Sequence, residues 1–171
     1  MNLIQNFSKH VLVAGLATCL YSCSSDSVED ITPPRVIDVE NITIWDGPTV
    51  TFSKADGANP DDETNQDQLT DNVWITRGNN GGQIYNAVSE SAAAKNSSPA
   101  DTEWALGTTE QIANLTFRSF RSTVTNPRTI VGENLVLHLI SDDIFLDIRF
   151  TSWSANKRGG FSYERSSNPE N

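Results

Sequence analysis

The sequence predicts an all-β fold, an antiparallel β-sandwich of jelly-roll-like order with a small β-barrel as the alternative. Three observations carry that expectation. Short runs of β-branched and aromatic residues alternate with polar ones. Gly, Asn and Pro clusters separate the runs at turn spacing. No long stretch keeps a convincing helical period, so roughly seven to nine short strands in two layers are expected.

The elements follow in order. Residues 39–45 alternate briefly and stop at Asp46-Gly47-Pro48, a turn signal, after which residues 49–53 alternate again. Residues 55–71 hold almost no apolar side chain and include Asn59-Pro60, which makes them a long polar loop. Val73-Trp74-Ile75-Thr76-Arg77 reads as a strand, Asn79-Asn80-Gly81-Gly82 as a tight turn and residues 83–86 as the return strand of a hairpin. Residues 90–95 favour one or two helical turns, ended by Asn96-Ser97-Ser98-Pro99. Trp104 falls in a loop, where it caps the core, and residues 115–118 read as a strand or the approach to one. Residues 135–140 are apolar on nearly both faces, which is the mark of a central strand. After the turn Ser141-Asp142-Asp143, the residues Ile144, Leu146, Ile148 and Phe150 form an apolar face opposite Asp147, Arg149 and Thr151. Carried on unbroken, this alternation puts Trp153 on the polar face, as the most exposed tryptophan. Residues 156–160 close the last turn and 160–165 return.

The first thirty residues have a different character. Lys9 and His10 precede an apolar run over 11–17, and residues 18–22 lead to Cys23, the second of two cysteines. A charged start, a short apolar core and a small residue at the cut point are the parts of a secretory signal, and the run is too short to span a bilayer as a helix. Leu20-Tyr21-Ser22-Cys23 resembles a bacterial lipoprotein processing box, although Tyr21 is bulkier than that box usually carries. The resemblance implies cleavage before Cys23 and acyl chains on it. Ser24-Ser25-Asp26-Ser27-Val28-Glu29-Asp30 resembles the acidic export signal of Bacteroidota lipoproteins, which implies a lipid-anchored protein of the outer membrane facing the cell exterior. The implied organisation is a signal peptide over 1–22, an acidic, Pro-containing tether over 23–36, one β-sandwich over 37–166 and a tail over 167–171.

Composition excludes several functions. The net charge of −10 argues against nucleic acid as a partner. After processing at Cys23 no thiol is left for a disulfide, so the fold must stand on its hydrophobic core. His138 is then the one remaining histidine, in the most apolar strand, and is expected to be a hydrogen-bonded core or sheet-face residue. With no second histidine or cysteine, a His/Cys zinc site is excluded, and no G-x-S-x-G elbow is present. The glycine-rich turns lack the spacing of a phosphate loop, so no nucleotide is expected.

Two candidate chemistries remain. Asp56, Asp61, Asp62, Glu63, Asp67 and Asp71 crowd the polar loop with amide oxygens nearby, a set suited to a structural Ca2+, although no cofactor is required. Trp74, Trp104, Trp153, Tyr85 and Tyr163 supply rings for stacking on sugars, and Arg77 and Arg149 supply donors for hydroxyls. Arg77 and Arg149, with Arg118 and Arg121, also offer a positive patch for acidic glycans. The blocks around Trp74, Trp104, 137–153 and 159–163 resemble a family of small secreted β-domains, which implies one compact exported domain and carries no activity to any residue. The expected function is a non-enzymatic glycan-binding or adhesion module at the cell surface, with polysaccharide or an envelope protein as partner. The alternatives are an accessory part of an envelope complex and, less favoured, a glycan-active enzyme.

Overall fold

The computed structural model describes residues 41–170. The expected signal peptide, lipidation at Cys23 and tether, with residues 37–40 and Asn171, lie outside the described residues. Nine strands form two sheets: β1 (Thr43–Trp45), β2 (Val50–Lys54), β3 (Asp67–Gln68), β4 (Trp74–Arg77), β5 (Ile84–Asn86), β6 (Thr102–Leu106), β7 (Asn134–Leu139), β8 (Ile144–Trp153) and β9 (Phe161–Arg165). One short helix, α1 (Phe120–Val124), and three 3-10 turns complete the described elements.

Strand β8 is the spine of the larger sheet, whose order is β2-β9-β8-β7-β6. Its other half-edge takes β1, which runs parallel beside Ile144, Phe145 and Leu146, while β9 pairs antiparallel with the far half of β8. All other pairings are antiparallel. β2 and β6 do not pair with each other, so the sheet stays open and no barrel closes among the described residues. The smaller sheet, β3-β4-β5, packs on one face of the larger one: Leu69, Val73, Ile75 and Ile84 join Trp104, Leu137, Leu146, Ile148, Phe150 and Tyr163 in one core. Each large apolar side chain removed from water there contributes about 1.5–3 kcal/mol.

The opposite face of β7 and β8 is also covered. Val136 and Phe145 pack against Ile112, Leu115 and Phe117, from the segment that follows β6. Coverage on both sides explains why β7 is apolar on both, and Leu135 to Leu139 are all buried. His138 belongs to this second face: its ring lies parallel to Phe145 at 4.0 Å, and its Nε2 is 3.3 Å from an Asp143 carboxylate oxygen. It is a buried sheet residue.

Buried polar groups join the two sheets. Asp67, on β3, accepts the Tyr163 hydroxyl at 2.8 Å and the Arg165 guanidinium at 2.7 and 2.9 Å, both from β9. Lys54, 2 % exposed at the end of β2, donates to Asn79 Oδ1 at 3.0 Å and to the Gly159 carbonyl at 3.4 Å. Burial lowers the Lys54 pKa, the charge of Arg77 presses the same way and Asp56 opposes them. Gly159 is fixed by this contact. Its φ of +77° suits glycine, and a Cβ there would collide with Asn79 Oδ1.

Several expectations change. Trp104 does not cap the core from a loop; it stands in β6, fully buried, paired with Leu137. Residues 115–118 form no strand and touch β6 by a single bridge, Trp104 to Arg118. Residues 90–95 form turns and bends and no helix. Trp153 faces the core side, because a bulge lies between Phe150 and Ser152. The bulge makes Trp153 the partner of Phe161, and paired residues share a face.

Candidate ligand-binding site

A cavity of about 670 Å3 opens at the end of the domain where the β4–β5 and β8–β9 hairpins meet the segments around Lys95 and Arg128. It falls in the range of about 300–1,000 Å3 usual for small-molecule sites. Its lining is unlike the rest of the chain. Arg77, Lys95, Arg121, Arg128 and Lys157 line it, five of the twelve basic residues, and no Asp or Glu does. None of the five is ion-paired with another described residue. Five amides line it too, Asn80, Gln83, Asn96, Asn126 and Asn156, beside Trp153 and small residues.

Each loop places its residues for a local reason. Arg77 closes β4, and the turn to β5 passes Gly81 and Gly82 at φ of +95° and +92°, which keeps the hairpin tight beside the cavity. Asn96 and Asn156 take left-handed φ of 62° and 56°, a conformation asparagine tolerates better than most residues. The Asn126 side chain accepts from the Arg128 N–H and starts the 3-10 turn Pro127–Thr129, which holds Arg128 at the rim. Helix α1, capped by Ser119, buries Phe120 against Trp104, Phe150 and Trp153 and so brings Arg121 to the wall.

Arg77 is the floor of the site. It is 4 % exposed; its Nε donates to the Gly82 carbonyl at 3.4 Å, and Nη1 donates to those of Ser154 at 3.1 Å and Gly160 at 2.8 Å. The guanidinium carbon lies 4.1 Å from the centroid of the Trp153 ring, a cation–π contact. Burial lowers the Arg77 pKa to about 10; the charge of Asp56 opposes that shift and Arg128 adds to it. The group is therefore cationic at neutral pH. Trp153 has one face taken by Arg77 and is packed by Phe120, Phe150 and Phe161, so it steadies the arginine in place of offering an open platform to a sugar.

Of the sequence-derived ligand residues the cavity unites Arg77 and Trp153, and of the expected positive patch it adds Arg121 but neither Arg118 nor Arg149. Trp74 lies half-buried and donates its indole N–H to the Thr70 carbonyl. Trp104, Tyr85 and Tyr163 are buried in the fold. Arg149 is exposed, donates to the Gly132 carbonyl and lines a second cavity of about 260 Å3 together with Asp147, Glu164 and Arg165. The carboxylate cage for Ca2+ is not assembled: no group of three or more potential acidic, His or Cys ligands comes together among the described residues. Asp67 is spent on Tyr163 and Arg165, Asp62 caps Thr64, and Asp56 pairs with Arg158 at 3.2 Å. Asp61, Glu63 and Asp71 point to solvent as exposed loop residues.

Sequence reasoning missed Lys95, Arg128, Lys157 and the amides. A signal was present: Lys95-Asn96, Asn126-Pro127-Arg128 and Asn156-Lys157 each set a base beside an asparagine in an otherwise acidic chain. Among the described residues no helix is long and apolar enough to cross a membrane. No protein-family model, no curated protein and no solved structure matches this chain.

Proposed function

We propose that the domain is a non-enzymatic binding module for a glycan, taken up in the cavity floored by Arg77. The observation that carries this reading is the lining itself. Four asparagines and a glutamine, with donor and acceptor on each side chain, suit the paired hydroxyls of a sugar. The wall holds no carboxylate, so the facing acid pair that glycoside hydrolysis uses is not supplied there. The sandwich, with its jelly-roll-like reading, serves as a scaffold that fixes the loops. In this reading the lipid on Cys23 tethers the module to the outer membrane, facing outward. Palmitate labelling that persists in Cys23→Ser contradicts the tether.

A glycan array probed with the purified chain, followed by tryptophan fluorescence, tests the binding. Trp153 is the one tryptophan in the cavity wall. The expected result is retention by at least one glycan class, with a fluorescence change that Trp153→Phe abolishes. Retention of no glycan, or a change untouched by Trp153→Phe, contradicts the site.

A further inference from the structure

Resting on the glycan-binding reading, we propose that the ligand is an acidic saccharide, its carboxylate or sulfate seated on Arg77 and the rim cations and its hydroxyls on the amides. A guanidinium has five N–H donors. Three of those on Arg77 go to carbonyls of Gly82, Ser154 and Gly160. The two on Nη2 have no acceptor among the described residues, and Nη2 is not among the enclosed polar atoms that lack a partner, so it opens on the cavity that Arg77 lines. Three carbonyls and the Trp153 ring hold the group in one orientation. Nη2 thus presents two fixed N–H groups, each able to donate a charge-assisted hydrogen bond to an oxygen of a carboxylate or sulfate.

The surroundings demand an anion more than a neutral sugar. Arg121, Arg128, Lys95 and Lys157 stand around Arg77 with no acidic side chain in the wall, in a chain whose net charge is −10. Gathering like charges costs free energy that an incoming anion relieves. The amides add the second requirement. Asn80, Asn96, Asn126 and Asn156 line the cavity as exposed residues. Their side chains pair with hydroxyls, and a bare inorganic anion brings none.

Isothermal titration of the purified chain tests this with four probes: an oligogalacturonate, its fully methyl-esterified form, a sulfated galactan oligomer and inorganic sulfate. At least one acidic oligomer is expected to bind, and to weaken as salt is added. Removing the charge by esterification, or replacing the exposed rim residues in a Lys95→Ala/Arg128→Ala variant, is expected to weaken it by about tenfold or more, the scale of one charge-assisted hydrogen bond. Circular dichroism of the variant checks that it is folded. Equal binding of the acid and its ester overturns the anionic ligand and leaves the glycan reading standing. Inorganic sulfate binding as tightly as the oligomers overturns the saccharide. Failure of every oligomer overturns both readings.

Discussion

Asp67 shows how much rests on one side chain. It is the acceptor for three donors from β9, and it sits on the edge strand of the other sheet. Its side chain and that of Arg165 are 8 % and 9 % exposed. Replacing Asp67 by Ala strands a buried guanidinium and a buried phenol at once. Loss of one partner from such a pair costs about 3–5 kcal/mol. Against a total of about 5–15 kcal/mol for a domain, urea denaturation of Asp67→Ala is expected to show a midpoint far below that of the parent chain. An unchanged midpoint contradicts the clasp. Tyr163 adds a pH dependence. Burial first, then the charge of Asp67, raises its pKa well above 10.0. The folded state keeps a proton that the unfolded chain loses, so stability is complete below pH 10.0 and falls as pH rises above it. Tyr163→Phe is expected to flatten that fall in denaturation curves at pH 9 to 11. None of this was legible beforehand: Asp67 looked like one more acid in a polar loop, and nothing local marks the partner, 98 residues away, that claims it.

Elements were legible where their period was clean. β8 writes its inside and outside in alternate residues, and β7 announces its central place by being apolar on both faces. β6 was hidden because Thr102 and Ala105 are small buried residues on a strand that also exposes Leu106, so its pattern mixes both faces. The bulge in β8 was hidden because alternation holds only while each residue advances the pleat by one step. Thr151 is the extra residue between the Phe150–Tyr163 and Ser152–Ser162 pairs. Deleting it leaves Trp153 two positions after Phe150, on the same face by ordinary alternation. A Thr151 deletion is therefore expected to fold, to keep Trp153 in its packed place and to lose only the hydroxyl contact with Ser162. Unchanged tryptophan emission, with a melting temperature lower by a few degrees, checks this; a red shift to solvent-exposed emission contradicts it.

At the scale of the whole molecule, an acidic chain gathers five cations that make no ion pair among the described residues at one cavity of a sandwich. The residues come from segments that are far apart in sequence, and the β4–β5 and β8–β9 hairpins, helix α1 and the 3-10 turn Pro127–Thr129 bring them to one cavity. Composition gave a net charge of −10, but a net charge averages over the surface and hides a local reversal of sign. The aromatic route to a sugar site, by contrast, was over-weighted, because three of the four tryptophans serve the fold away from the cavity and the fourth holds Arg77. The most direct test is amide chemical-shift mapping of the isotope-labelled chain with an acidic oligosaccharide that it binds. The expected result is a set of shifts confined to residues 77–83, 93–96, 126–128 and 153–157, with the Arg77 side-chain N–H signals moving furthest. Shifts centred on the β2–β9 edge or on the acidic loop over residues 55–71, with Arg77 unmoved, would contradict the account.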